Sequence, residues 1–136
     1  MNQRGFATLE VILMVMVIGI LASIAVPRFT SITTSANTAK IQSDLSTIDT
    51  AIAIYYMENG KYPTNLKTDL EPYLNDIENI KPPTGQAYIN GIATDIEATS
   101  YSFKTVDGET RAALDEHTAG DFTKTKTTSG GTTSGT

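Results

Sequence analysis

The segment that most restricts what this chain can become is Val11 to Val26, an apolar block closed by Pro27. Taken as a helix from Phe6 onward, it reaches about 30 Å at roughly 1.5 Å per residue, the thickness of bilayer hydrocarbon. One carboxylate, Glu10, stands near its start. An acid inside such a segment costs roughly 2.5–3.5 kcal/mol at the helix centre and less towards an end, so a partner for it is expected. A short polar leader with a single positive charge, Arg4, precedes the block. Hydropathy alone leaves two readings of this terminus: an uncleaved signal anchor, or a leader removed ahead of a retained helix. Charge orients it only weakly, since Arg4 favours a cytoplasmic N-terminus and Arg28 opposes it from the far side.

The junction Arg4-Gly5-Phe6, Glu10 four residues beyond Phe6, and the run Ile18-Gly19-Ile20-Leu21-Ala22-Ser23-Ile24-Ala25-Val26-Pro27 resemble the N-terminus of type IV pilins. The pseudopilins of type II secretion and competence-pilus subunits share that pattern. Ala7-Thr8 departs from the usual Thr-Leu order without changing the spacing from Phe6 to Glu10. The resemblance is close from Phe6 to Pro27, thinner to about Pro63, and faint beyond. It implies that prepilin peptidase cuts between Gly5 and Phe6 and that Phe6 is then N-methylated. It also implies an outside C-terminus and a chain that first spans the inner membrane once, then enters a cell-surface filament.

Elementary energetics supports an assembly role for the same residues. Membrane helices gain little hydrophobic drive from one another, because lipid is already apolar. Cleavage would give Phe6 an ammonium one turn from Glu10, and Glu10 of one subunit can meet that amine on a neighbour. A charge pair at low dielectric rewards correct register and penalises slippage. Gly19 and Pro27 bracket a stretch that these filaments often unwind. Pro27 removes the hydrogen bond to the Ser23 carbonyl and Gly19 is a poor helix former, so loosening there is cheap.

The rest of the chain predicts an α+β fold: a long N-terminal helix, its first half transmembrane or filament core, packed against a small antiparallel β-sheet head. The partition is 1–5 leader, 6–27 anchor helix, 28–119 head with the second half of the helix, and 120–136 flexible tail. Ile41, Leu45, Ile48, Ile52 and Tyr55 form an amphipathic stripe, with Lys40, Ser43, Asp44, Thr47, Asp49 and Thr50 on the other face. Asn59-Gly60 is a helix stop. A short helix is predicted over roughly Asp69 to Asn79, with Thr68 and Glu71 as a candidate capping box weakened by Pro72. Asn90-Gly91 and Asp107-Gly108 are hairpin signals. From Gly120 the Thr, Ser, Gly and Lys composition predicts a mobile segment whose removal costs the head little.

Net charge of −5 and dispersed lysines argue against a direct nucleic-acid site. With no cysteine there is no disulfide framework, and so no stapled C-terminal loop of the kind many Gram-negative pilins carry. His117 is the only histidine, and no catalytic triad or phosphate-cradling loop is present, so no enzyme activity is predicted. Asp95, Glu97, Asp107, Glu109, Asp115, Glu116 and Asp121 are oxygen donors of the kind calcium takes, and some major pseudopilins bind it in this region. They lack a recognisable ligand spacing, so an acidic solvated face is preferred and no metal site or cofactor is assigned. The resemblance implies a type IV pilus-like filament subunit, with a major pseudopilin of type II secretion or of a competence system as the alternative. A membrane-tethered binding module is more remote. The implied partners are further copies in a helical filament, prepilin peptidase, an inner-membrane assembly platform, and lipid before assembly.

Overall fold

The structure, a computed structural model, describes residues 3–126 apart from the side chains of residues 26–28. It opens with one helix, α1 (Gln3–Asn59), and divides into two compact units, Met1–Thr33 and Thr34–Thr136. In the first unit the side chains from Gln3 to Ile24 are all exposed. A helix that is apolar on every side has no face to offer a single core. The few hydroxyls there are satisfied locally: Thr8 donates to the Arg4 carbonyl at 2.9 Å and Ser23 to the Ile20 carbonyl at 2.7 Å.

The second unit is the head. Ile41, Leu45, Ile48 and Ile52 of α1 are buried, as their spacing predicts, while Tyr55 packs half-buried at the edge of the core. Serine and threonine are indifferent helix formers. Here Thr38, Ser46, Thr47 and Thr50 each donate to the carbonyl four residues back, which satisfies them without leaving the helix. Gly60 ends α1 at φ 68°, its N–H donating to the Tyr56 carbonyl at 2.8 Å. That left-handed conformation is the usual glycine helix end.

The short helix differs from its predicted place. α2 is Leu66–Leu70, and a separate 3₁₀ turn covers Ile77–Asn79. The cap is Asn65, whose side chain accepts from the N–H groups of Lys67 and Thr68, while Asp69 accepts from the N–H groups of Asn65 and Thr64. Those backbone bonds, from Asn65 first, hold the Asp69 carboxyl below its usual range. With the start fixed at Asn65, Pro72 stops the helix instead of opening it.

Two hairpins follow: β1 (Gln86–Ile89) with β2 (Ile92–Asp95), and β3 (Ser102–Val106) with β4 (Glu109–Ala113). Both turns sit at the predicted dipeptides, with φ 49° and 86° at Asn90 and Gly91 and 51° and 85° at Asp107 and Gly108. Positive φ at both central residues is the type I′ geometry that matches strand twist. The hairpins form two separate two-stranded sheets, where the sequence predicts one small sheet. The helix accounts for this, because α1 side chains occupy strand groups that a neighbouring strand would otherwise use. Tyr88 N–H of β1 donates to Thr38 Oγ1 at 2.8 Å, and Ala112 N–H of β4 donates to Asp49 Oδ1 at 2.7 Å.

The C-terminal side of the head corrects a third expectation. A 3₁₀ turn, Ala119–Asp121, delivers Phe122 into the core, where it is 1 % exposed and among the largest fully buried side chains. The next residues run over the β1–β2 turn: Asn90 N–H donates to the Asp121 carbonyl at 2.8 Å and Gly91 N–H to the Thr123 carbonyl at 2.9 Å. Residues from Gly120 to Thr123 therefore belong to the packed head, and composition alone concealed it because one phenylalanine carries the contact. The remaining part of the predicted tail, 127–136, lies outside the described residues.

Candidate functional site

Gly5 lies in the first turn of α1, where helical N–H groups have no partner within the helix. Phe6 follows at 67 % exposure, and Glu10 stands one turn on, which puts both on one face. Glu10 makes no ion pair among the described residues. A Cβ added at Gly5 or at Gly19 would meet nothing within 4 Å. Neither glycine is thus required by packing inside the chain. The backbone stays helical through Gly19 and Pro27, and the Pro27 side chain lies outside the described residues.

On the head, two aspartates of α1 hold the second hairpin. Asp49 Oδ2 accepts from Arg111 Nε at 3.2 Å and Nη2 at 3.0 Å, while its Oδ1 takes the Ala112 N–H. Asp44 accepts from the Tyr101 hydroxyl at 2.7 Å and pairs with Lys40 at 2.5 Å. The helical pattern assigns both carboxylates to the solvent face. They instead flank the buried stripe and reach partners about sixty positions further along the chain. Asn37 works the same way on the first hairpin, donating to the carbonyls of Thr84 and Gln86 at 3.1 and 2.9 Å. The sequence carried no local signal for these contacts beyond polar residues one turn from an apolar stripe.

Asp49→Ala is expected to destabilise the head by about 1–3 kcal/mol, because it strands a buried Ala112 N–H. Arg111→Ala should cost less than about 1 kcal/mol, the ordinary worth of an exposed pair. Denaturant unfolding of the two variants gives the comparison. Equal losses would mean that the ion pair, and not the backbone bond, is what Asp49 contributes.

Burial, and then the Asp44 carboxylate, push the Tyr101 hydroxyl far above the usual tyrosine range. A folded value above the unfolded one means that its stabilisation is complete below about pH 10 and is lost as pH rises beyond it. Unfolding midpoints should therefore drop steeply above about pH 10, and Tyr101→Phe should flatten that drop. An unchanged alkaline slope in the variant would assign the loss to other groups.

His117 sits half-exposed, with Nδ1 3.9 Å from Asp121 and its ring edge-on to Phe122. Among the described residues no three His, Asp or Glu side chains gather into a group able to hold a metal ion.

Comparison with known proteins places these features beside two kinds of relative. Type II secretion system core protein G of Klebsiella michiganensis is 36 % identical over 63 residues, 46 % of this chain and 44 % of that protein. The counterpart in Vibrio cholerae is also 36 % identical over 63 residues, 43 % of its length. The type IV narrow pilus major component PilA5 of Thermus thermophilus is 36 % identical over 64 residues, covering 47 % of this chain and 55 % of that one. The chain spans about half the length of the curated relatives it matches. No protein-family model and no solved structure matches it.

Proposed function

We infer that this chain, similar over nearly half its length to a type IV pilus component and to type II secretion core protein G, is a structural subunit of a pilus-like filament. The observation that carries this reading is how the apolar surface is distributed. The head closes its own core with residues from Ile41 to Phe122, and among the described residues none comes from the first unit. The apolar side chains from Phe6 to Ile24 are left exposed on all sides of the helix. Lipid can cover them before assembly and the same segment of other copies can cover them afterwards. The first environment makes the chain a single-pass protein of the inner membrane, and the second makes it a subunit of a cell-surface fibre.

In this reading prepilin peptidase removes Met1 to Gly5, Phe6 becomes the N-methylated terminus, and the Phe6 amine of one subunit meets Glu10 of its neighbour. Gly19 and Pro27 mark the stretch of α1 that loosens on assembly. A major pseudopilin of type II secretion is the second reading, favoured by the identity to core protein G. No enzyme activity is proposed. Intact-mass spectrometry of protein from sheared surface fibres is expected to lack Met1 to Gly5 and to carry one added methyl group. Finding the leader on fibre protein would overturn processing at Gly5. Its absence, with the protein confined to the cell envelope and no fibre shed, would favour the pseudopilin reading.

A further inference from the structure

Beyond residue 32, the large apolar side chains left exposed among the described residues are Ile54, Tyr56, Met57, Ile92 and Val106. They fall at different places, and two of those places have opposite shapes. The end of α1 and the β4 edge enclose a cavity of about 340 Å³, lined in part by Tyr56, Met57, Tyr62 and Thr110. One wall is formed by the Tyr56 and Tyr62 rings, which stack with centroids 4.5 Å apart. Met57 lies at its mouth, 83 % exposed. The convex counterpart is Ile92, 70 % exposed, directly after the Asn90-Gly91 turn.

Charge separates the same two places. Glu109 is exposed on the cavity wall, Asp107 is exposed in the turn two residues before it, and the cavity's one arginine, Arg111, is already paired with Asp49. The turn before Ile92 is crossed by the segment that carries Lys124 and Lys126, both exposed. A Cβ at Gly91 would come within 3.0 Å of the Lys126 backbone nitrogen, so the backbone that carries both lysines rides on the turn itself, with the Lys124 ammonium 5.7 Å from the Tyr88 ring centre. The chain therefore has an apolar tip with a basic collar and an apolar socket with an acidic rim.

We propose that the Ile92 tip of one copy seats in the Tyr56–Met57–Tyr62 socket of the next, with Lys124 and Lys126 facing Asp107 and Glu109. The two patches are distinct, so the contact is heterologous. Contacts of that kind propagate into rings or open helices, whereas a self-complementary patch closes a dimer. The hairpin that carries the tip is fastened at Thr38 through Tyr88 of β1, and the socket opens near Tyr56, about 27 Å further along α1 than Thr38 at roughly 1.5 Å per residue. Successive heads would thus be joined by points well separated along the helix. This rests on the filament reading above and adds a head-to-head contact to it.

The chain has no cysteine, which makes cross-linking clean. Full-length chain carrying both Ile92→Cys and Met57→Cys, oxidised in sheared fibres, is expected to give a ladder of dimers, trimers and longer species. Neither single variant should give one. No ladder, or dimers of equal yield from Met57→Cys alone, would overturn the proposal, the latter by showing socket-to-socket pairing. Ile92→Asp should lower fibre recovery by about tenfold or more, the effect of losing one buried isoleucine. Lys124→Glu with Lys126→Glu should lower it too, and adding Asp107→Lys with Glu109→Lys should restore it. Normal fibre yield from Ile92→Asp would also overturn the contact. Should the unaltered chain enter no fibre, the filament reading fails. The same cysteine pair in the membrane fraction then decides the head contact alone, a ladder supporting it and its absence overturning it.

Discussion

Glu10→Ala is expected to leave the chain inserted in the membrane while reducing fibre recovery by about tenfold or more. Removing the carboxylate makes the segment more apolar, so insertion should if anything improve. What disappears, on the proposed assembly, is the counter-charge for the Phe6 ammonium of the neighbouring subunit. A buried charge without its partner costs roughly 3–5 kcal/mol, and the loss recurs at each interface. Even a third of that changes the equilibrium at each interface by about tenfold. Glu71→Ala is a suitable control, since Glu71 is exposed and makes no side-chain hydrogen bond or ion pair among the described residues. Glu58 is unsuitable because its carboxylate accepts the Tyr73 hydroxyl. Membrane fractionation, fibre shearing and the mass of the mature terminus are measured together. Normal fibre yield from processed Glu10→Ala would make the residue a tolerated acid near the membrane surface and end the pairing mechanism.

Phe122→Ala should cost the head about 3–5 kcal/mol, the usual penalty for emptying a fully buried aromatic site. That is a large share of the roughly 5–15 kcal/mol by which a domain of this kind is stable. Removing residues 120–136 should be at least as damaging, because it also takes away the acceptors at Asp121 and Thr123 for the β1–β2 turn. Removing only residues 127–136 leaves those acceptors and Phe122 in place and should shift the unfolding midpoint little. Thermal unfolding of a soluble head starting near Arg28 tests all three. Similar midpoints for Phe122→Ala and the unaltered head would show that the site collapses around the gap.

The periodic and the turn-forming parts of this fold were legible in the sequence. Ile41, Leu45, Ile48 and Ile52 repeat at the helical period and are buried together, and two dipeptides able to hold positive φ at both positions mark both hairpins. These signals are local, each contained within a few turns or a few residues. Asp44, Asp49 and Phe122 were misread because their meaning lies in partners far along the chain. An aspartate beside an apolar stripe looks the same whether it faces water or an N–H from residue 112. The α2 helix was misplaced for a different reason: both Asn65 and Thr68 are competent caps, and the carboxylate of Asp69 reaching back to Asn65 decides between them. At the N-terminus the proposed assembly chemistry rests on the resemblance, and Glu10 has no ion-pair partner among the described residues.

The way Asp49 and Phe122 close the head has a consequence for where and when it can form. A carboxylate accepting a backbone N–H and a ring dropped into an apolar site are both reversible and involve no thiol. The head is therefore indifferent to redox potential. It can fold on either side of a membrane without an oxidase or an isomerase, and a reductant cannot open it. Its remaining weakness is electrical, since strong base ionises the buried Tyr101 hydroxyl. A fibre made of such heads would keep its subunits closed in anoxic or sulfide-rich surroundings and would loosen in strong base.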